Sequence, residues 1–268
     1  MNLKPLGATG VMVPEIGLGT WKYRGGPEPL RRGIALGATL VDTAEMYRNE
    51  VEVGQAIAPV REQVFLATKV LGNHLRYDQV LRAAEDSLRK LNVDVIDLYQ
   101  VHWPNSRVPI AETMRAMEEL VDRGVVRYIG VSNFSGAELQ EAQHVMARHP
   151  IVSNQVLYSL KAREIEAQLL PYCQENDVTI IAYTPLADGS LAVKPRLRPD
   201  RRFRELEQVA REVGKTPAQV SLNWVTSRDG VITIPKSNSV ARTEENCAAS
   251  GWRLSLEHIR RLEAAYPA

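Results

Sequence analysis

The sequence predicts an α/β fold, a (β/α)8 TIM barrel with an N-terminal β-hairpin closing the barrel floor. Three observations lead there. Eight short apolar runs recur along the chain. Most are rich in Val and Ile without strict alternation, as expected of parallel strands buried on both faces. Stretches of helical period separate them, and alternating β and α units imply a parallel sheet. Eight such units in 268 residues favour a closed barrel over an open sheet, because such barrels run to about 250 residues as one domain. A single domain over 1–268 is therefore expected.

In chain order, Leu3–Leu6 and Val11–Val13, joined by the turn Ala8-Thr9-Gly10, make the floor hairpin. The strands are read at Ile16–Gly19, Leu40–Asp42, Val64–Lys69, Val95–Val101, Val125–Val131, Ile151–Val156, Val178–Tyr183 and Val231–Ile234. Val80, Leu81, Ala84, Leu88 and Leu91 share one helical face, as do Ile110, Met114, Met117 and Leu120. Ser135 with Glu138, and Thr216 with Gln219, read as capping boxes, the second with Pro217 at the first helical position. Residues 186–204 are rich in Pro and Arg and too long for a routine βα connection. They are read as a loop. A final helix is expected over Leu256–Tyr266.

Composition excludes several classes. A formal net charge of +1 gives no pull toward nucleic acid or a membrane surface. Cys173 and Cys247 belong to no metal-ligand spacing and read as reduced, buried thiols. The start MNLKPLG has no apolar leader run, and no stretch approaches the roughly 18 apolar residues of a membrane span. A soluble, cytoplasmic protein is expected, monomeric or weakly oligomeric, without a metal. Gly17 and Gly19 do not complete a dinucleotide-binding fingerprint, and Gly214-Lys215-Thr216 lacks the first glycine of a P-loop. His74, His144, His149 and His258 read as solvated surface side chains.

The chemistry concentrates at strand ends. Asp42 closes one predicted strand, Lys69 closes the next, and His102 follows the third. In a barrel these ends line one mouth, where active sites lie. Singly, each has a structural explanation: a helix cap, a snorkelling lysine, a satisfied core histidine. Three at matching positions of adjacent strands point to function instead, and Tyr47 follows Asp42 closely enough to hang over the same mouth.

With these segments in order, the chain resembles the aldo-keto reductase superfamily along nearly its whole length. The matching segments begin at Gly17, Val41, Thr68, Asp97, Gly130, Asn154, Ala182 and Ile234. The resemblance implies a catalytic tetrad of Asp42, Tyr47, Lys69 and His102, with Tyr47 as proton donor in carbonyl reduction by NADPH. A phenol serves as the acid if a cation lowers its pKa; Lys69 supplies the cation, Asp42 keeps it charged, and His102 orients the carbonyl oxygen. The resemblance assigns Ser132, Asn133 and Gln155 to the nicotinamide carboxamide and Tyr183 to its ring. Thr184 and Leu186 would flank the pyrophosphate, and Thr20 and Asp42 also belong to the cofactor set. Lys236 and Arg242 resemble a 2′-phosphate clamp with Ser237, while Asn238, Glu245 and Asn246 complete the adenine end. The six basic residues of 186–204 leave two readings open, a cover over the cofactor or a solvated surface.

Trp21, Trp103, Tyr47 and His102 are expected to wall an apolar pocket for a small carbonyl compound. The short connection Trp103–Pro109 and an end soon after the last helix are read as leaving that pocket open. Such short loops resemble microbial members acting on keto-sugars, 2-oxoaldehydes and simple aldehydes. A redox-sensing channel subunit and a Schiff-base lyase using Lys69 are the rival classes.

Overall fold

The computed structural model describes residues 1–193 and 201–268. Strands β1 (Leu3–Pro5) and β2 (Met12–Pro14) form an antiparallel hairpin. It presents Leu6 and Val13 to Leu40, Leu98, Val152, Ile181 and Ile232, the apolar filling inside the barrel. Eight strands follow: β3 (Leu18–Gly19), β4 (Leu40–Asp42), β5 (Phe65–Val70), β6 (Ile96–Val101), β7 (Val126–Ser132), β8 (Ile151–Leu157), β9 (Thr179–Tyr183) and β10 (Val231–Thr233). They pair in sequence order, all parallel.

The sheet closes where the first strand meets the last. Gly17 N donates to Thr233 O at 2.8 Å, Thr233 N to Glu15 O at 2.9 Å and Gly19 N to Pro235 O at 3.2 Å. Gly19 permits this seam, since a Cβ there would lie 2.4 Å from Ile234 O. The first strand is shorter than Ile16–Gly19 because Ile16 bridges to Thr233 across the seam rather than extending the pairing with β4.

Helices α1 (Pro27–Ala35), α2 (Glu50–Ile57), α3 (Tyr77–Leu91), α4 (Ile110–Asp122), α5 (Gly136–Val145) and α6 (Leu169–Glu175) each connect successive strands. α7 (Arg201–Glu212) and α8 (Pro217–Thr226) precede β10, and α9 (Val240–Cys247) and α10 (Leu256–Ala265) end the chain. Both capping boxes form: Ser135 Oγ accepts from Glu138 N and Thr216 Oγ1 from Gln219 N. The largest core lies between helices and outer sheet face, and there Val80, Ala84, Met114 and Met117 are fully buried. Cys173 and Cys247 are buried free thiols.

One expectation needs correction. The loop read over 186–204 is helical from Arg201, because Phe203, Leu206, Val209 and Ala210 fall on one buried face that the arginines obscure in the sequence. Residues 194–200 of that loop lie outside the described residues. Among the described residues, no helix is long and apolar enough to cross a membrane.

Candidate active site

β4, β5 and β6 run side by side, so Asp42, Lys69 and His102 emerge at neighbouring places on the C-terminal rim. Lys69 is wholly buried and Asp42 nearly so. Lys69 Nζ donates to Asp42 Oδ1 at 2.6 Å, to Thr43 O at 2.8 Å and toward Tyr47 OH at 3.4 Å. Tyr47 ends a 3-10 turn, Glu45–Tyr47, directly after β4, which hangs its ring over the amine at 4.9 Å. Burial works against the Lys69 charge, but Asp42, and then Tyr47, outweigh it and hold the amine above its ordinary pKa.

Tyr47 corrects one expectation. Burial raises its pKa, and Lys69, pulling the other way, only partly offsets that. The phenol is therefore held protonated rather than tuned down toward neutrality. His102 sits against Tyr47 edge-on at 5.6 Å and stacks on Trp103 at 3.9 Å. Burial, and next the Lys69 charge, drive its pKa down to about 3, so the ring is neutral. Its Nδ1 is buried without a partner among the described residues. The nitrogen left for a ligand is thus Nε2.

The second carboxylate oxygen of Asp42 is also held. Gln155 Nε2 donates to Oδ2 at 2.8 Å and Gln100 Nε2 at 3.3 Å. Gln155, assigned to cofactor by resemblance, is thereby joined to the buried ion pair. Gln100 was missed by the sequence reading; its signal is the period-2 spacing from His102, which turns both side chains inward.

A cleft of about 670 Å³ opens over this group. Trp21, Tyr47, His102 and Trp103 line one part, and Met46, another residue not foreseen, joins them. Thr20, Ser132, Asn133, Gln155, Tyr183, Thr184 and Leu186 continue its lining. Ser132 Oγ donates to Gln155 O at 2.8 Å, and Tyr183 OH to Asn133 Oδ1 at 2.9 Å. Asn133 and Thr184 hold left-handed φ of 60° and 52°. That conformation is costly for a β-branched threonine, and such strain clusters at ligand sites.

Lys236, Arg242, Glu245 and Asn246 line the far end of the cleft. The last three share a face of α9, whose N-cap Ser239 Oγ accepts from Arg242 N at 3.3 Å. Among the described residues, neither Lys236 nor Arg242 has a carboxylate partner. Ser237 and Asn238 do not line the cleft: Ser237 Oγ bonds the Ser239 backbone, and Asn238 Oδ1 accepts from Arg24 N at 3.0 Å. Ser237 thereby closes the turn before α9, and Asn238 ties that turn to the loop after β3. Lys22, Asp188 and Ala218 also line the cleft and were not foreseen. His74 is a half-exposed side chain that also bonds through Nδ1 to Glu45 Oε1 at 2.8 Å, as His149 and His258 bond Asp122 and Glu212.

Comparisons with known proteins agree with this architecture. The model of the aldo/keto reductase family matches residues 15–267. The chain is 40% identical over 269 residues to methylglyoxal reductase YeaE of Escherichia coli strain K12, covering 96% of this chain and 93% of that protein. It is 35% identical over 261 residues to glyoxal reductase of Bacillus subtilis strain 168, covering 95% and 90%. A solved aldo/keto reductase from Klebsiella pneumoniae, in complex with NADP and acetate, superposes with a TM-score of 0.88 at 39% identity, over 100% of this chain and 96% of that one.

Proposed function

The chain belongs to the aldo/keto reductase family, and we propose that residues 1–268 form one catalytic domain that reduces small carbonyl compounds with NADPH, Tyr47 donating the proton. Its substrates are aldehydes, 2-oxoaldehydes and ketones, keto-sugars included. The observation that carries this reading is the buried Lys69–Asp42 pair at 2.6 Å, with Lys69 reaching the Tyr47 hydroxyl at 3.4 Å.

The cleft's donor set suits the cofactor. Hydroxyl and amide groups of Ser132, Asn133 and Gln155 lie toward one end, matched to an amide ligand. Lys236 and Arg242 lie at the other, beside the N-terminus of α9, matched to a phosphate. When bound, NADPH supplies the hydride that adds to the carbonyl carbon.

The protein's own groups handle the oxygen. A neutral His102 donates from Nε2 to the carbonyl oxygen and sets its angle. The Tyr47 hydroxyl delivers its proton to the same oxygen as negative charge develops there. Lys69 then faces the phenolate left on Tyr47, and Asp42, braced by Gln100 and Gln155, keeps Lys69 charged. Trp21, Met46 and Trp103 give the substrate an apolar wall. A Schiff base on Lys69 is disfavoured by the same contacts, since a charged amine held by three oxygen acceptors has no free lone pair.

NADPH consumption against a panel of aldehydes, 2-oxoaldehydes, keto-sugars and ketones tests this. Turnover of both small aromatic aldehydes and 2-oxoaldehydes is expected. Absence of NADPH oxidation with every carbonyl contradicts the reading. A preference of about a thousandfold, some 4 kcal/mol, for one substrate over all close analogues contradicts its open pocket.

A further inference from the structure

We infer that Glu45 is a positioning residue for the reaction, tying the turn that carries Tyr47 to the end of the strand that carries Lys69. The inference rests on Tyr47 being the proton donor. The 3-10 turn Glu45–Tyr47 does little to fix its own place: Tyr47 N bonds Ala44 O at 3.0 Å, and Arg48 N reaches Glu45 O only at 3.3 Å. On one side, Thr43 Oγ1 donates to Asn49 Oδ1 at 2.9 Å, and Asn49 Nδ2 donates to Thr20 O at 2.8 Å. On the other side, beyond the bonds that Lys69 makes to Thr43 O and Tyr47 OH, stands Glu45. Its carboxylate accepts from Leu71 N at 2.8 Å through Oε2 and from His74 Nδ1 at 2.8 Å through Oε1.

Leu71 lies two residues beyond Lys69, immediately after β5. Glu45 lies two residues before Tyr47. The carboxylate therefore joins the turn bearing Tyr47 to the segment just beyond the strand bearing Lys69. The separation of Tyr47 OH from Lys69 Nζ, 3.4 Å, is at the outer edge of a hydrogen bond, where a small outward drift of the turn breaks the contact. The tie continues to the third strand. His74 N closes the loop on Leu71 O at 2.8 Å, and Asn105 Nδ2 donates to Gly72 O at 2.8 Å. Asn105 follows His102 and Trp103, so one belt of hydrogen bonds links the rim segments bearing Tyr47, Lys69 and His102. A partly buried carboxylate bonded to a backbone N–H gives a stiff link, and misplacing a reacting group by about 1 Å costs on the order of a hundredfold in rate.

The test is single-turnover reduction of an aldehyde by enzyme pre-loaded with NADPH, compared among wild type, Glu45→Ala, Glu45→Gln and Tyr47→Phe. Glu45→Ala is expected to slow the hydride-transfer step at least about tenfold while NADPH affinity stays at the wild-type value and Tm falls by no more than a few degrees. Glu45→Gln, which still offers Leu71 an oxygen acceptor, is expected to recover most of the rate. Glu45→Ala within about twofold of wild type, with Tyr47→Phe crippled, overturns the inference and leaves the proton-donor reading intact. A slow Glu45→Ala that loses NADPH affinity by the same factor, or a Glu45→Gln as slow as Ala, also overturns it. A fast Tyr47→Phe removes the reading beneath both.

Discussion

Arg242 faces the cleft without a carboxylate partner among the described residues, and on the proposed reading its charge meets the 2′-phosphate of the cofactor. Charge-assisted hydrogen bonds contribute about 1.5–3 kcal/mol each, so NADPH is expected to bind at least about tenfold tighter than NADH. Arg242→Ala should weaken NADPH far more than NADH in a fluorescence titration; equal losses for both would show that Arg242 does not read the 2′-phosphate. His102 makes a second expectation. Burial and Lys69 hold its pKa near 3, against an ordinary 6.5, so the ring does not titrate between pH 5 and 8. The pH profile of kcat/KM should carry no limb near 6.5, and a limb there that vanishes in His102→Asn would contradict a neutral donor. At this scale the sequence was most legible where the backbone dictates direction. Asp42, Lys69 and His102 stand at the ends of adjacent strands, and strand ends in a parallel barrel share a mouth. Glu45 and His74 were not legible, because their bond joins two loops whose geometry no periodicity encodes.

Strands and helices differ in the same way. Buried strands announce themselves as Val- and Ile-rich runs, and the two capping boxes carry their own local hydrogen bonds. The 3-10 turn under Tyr47 and the start of α7 carried no such signal, the latter because Arg201, Arg202 and Arg204 outnumber the apolar anchors in its first turn. An element-level tie also escapes sequence pattern. Glu118, on the buried face of α4, accepts N–H groups of Ala147, Arg148 and His149 at 3.0, 2.6 and 3.1 Å. It thereby anchors the connection between α5 and β8. Burial opposes its charge, but the three backbone donors, and then Arg148, hold the carboxyl below its ordinary pKa. A carboxyl lowered in the folded state contributes stability above its unfolded pKa, and that contribution is lost as pH falls through the folded value. Glu118→Ala should therefore lower stability to denaturant by about 2 kcal/mol at pH 7, with a smaller difference in acid. An equal loss at pH 7 and in strong acid would show that charge plays no part.

Across the whole molecule, the barrel is stitched shut by few bonds between β3 and the segment around β10, and the cleft lies across that seam. Thr20 follows β3, Lys236 follows β10 and Arg242 belongs to α9, while Ser132 and Asn133 stand on the opposite wall. A ligand filling the cleft bridges both sides of the seam. The fold class was legible because eight buried runs leave an even rhythm; the seam was not, because it depends on a close approach at Gly19. Binding to the folded state alone stabilises by about 2.7 kcal/mol at a ligand concentration one hundred times Kd. Saturating NADPH should therefore raise Tm by roughly 5 °C or more. NADH at the same concentration should raise it less, and equal shifts would place the 2′-phosphate of the adenosine ribose outside the clamp at Lys236 and Arg242. Tyr47→Phe keeps the ring that packs between Trp21 and His102 and removes only the hydroxyl facing Lys69. With NADPH pre-bound, so that cofactor release cannot mask the chemical step, single-turnover aldehyde reduction by Tyr47→Phe should fall by about 10²-fold or more, with NADPH affinity unchanged. Hydride transfer at a near wild-type rate would take the proton-donor role from Tyr47 and give it to His102 or water.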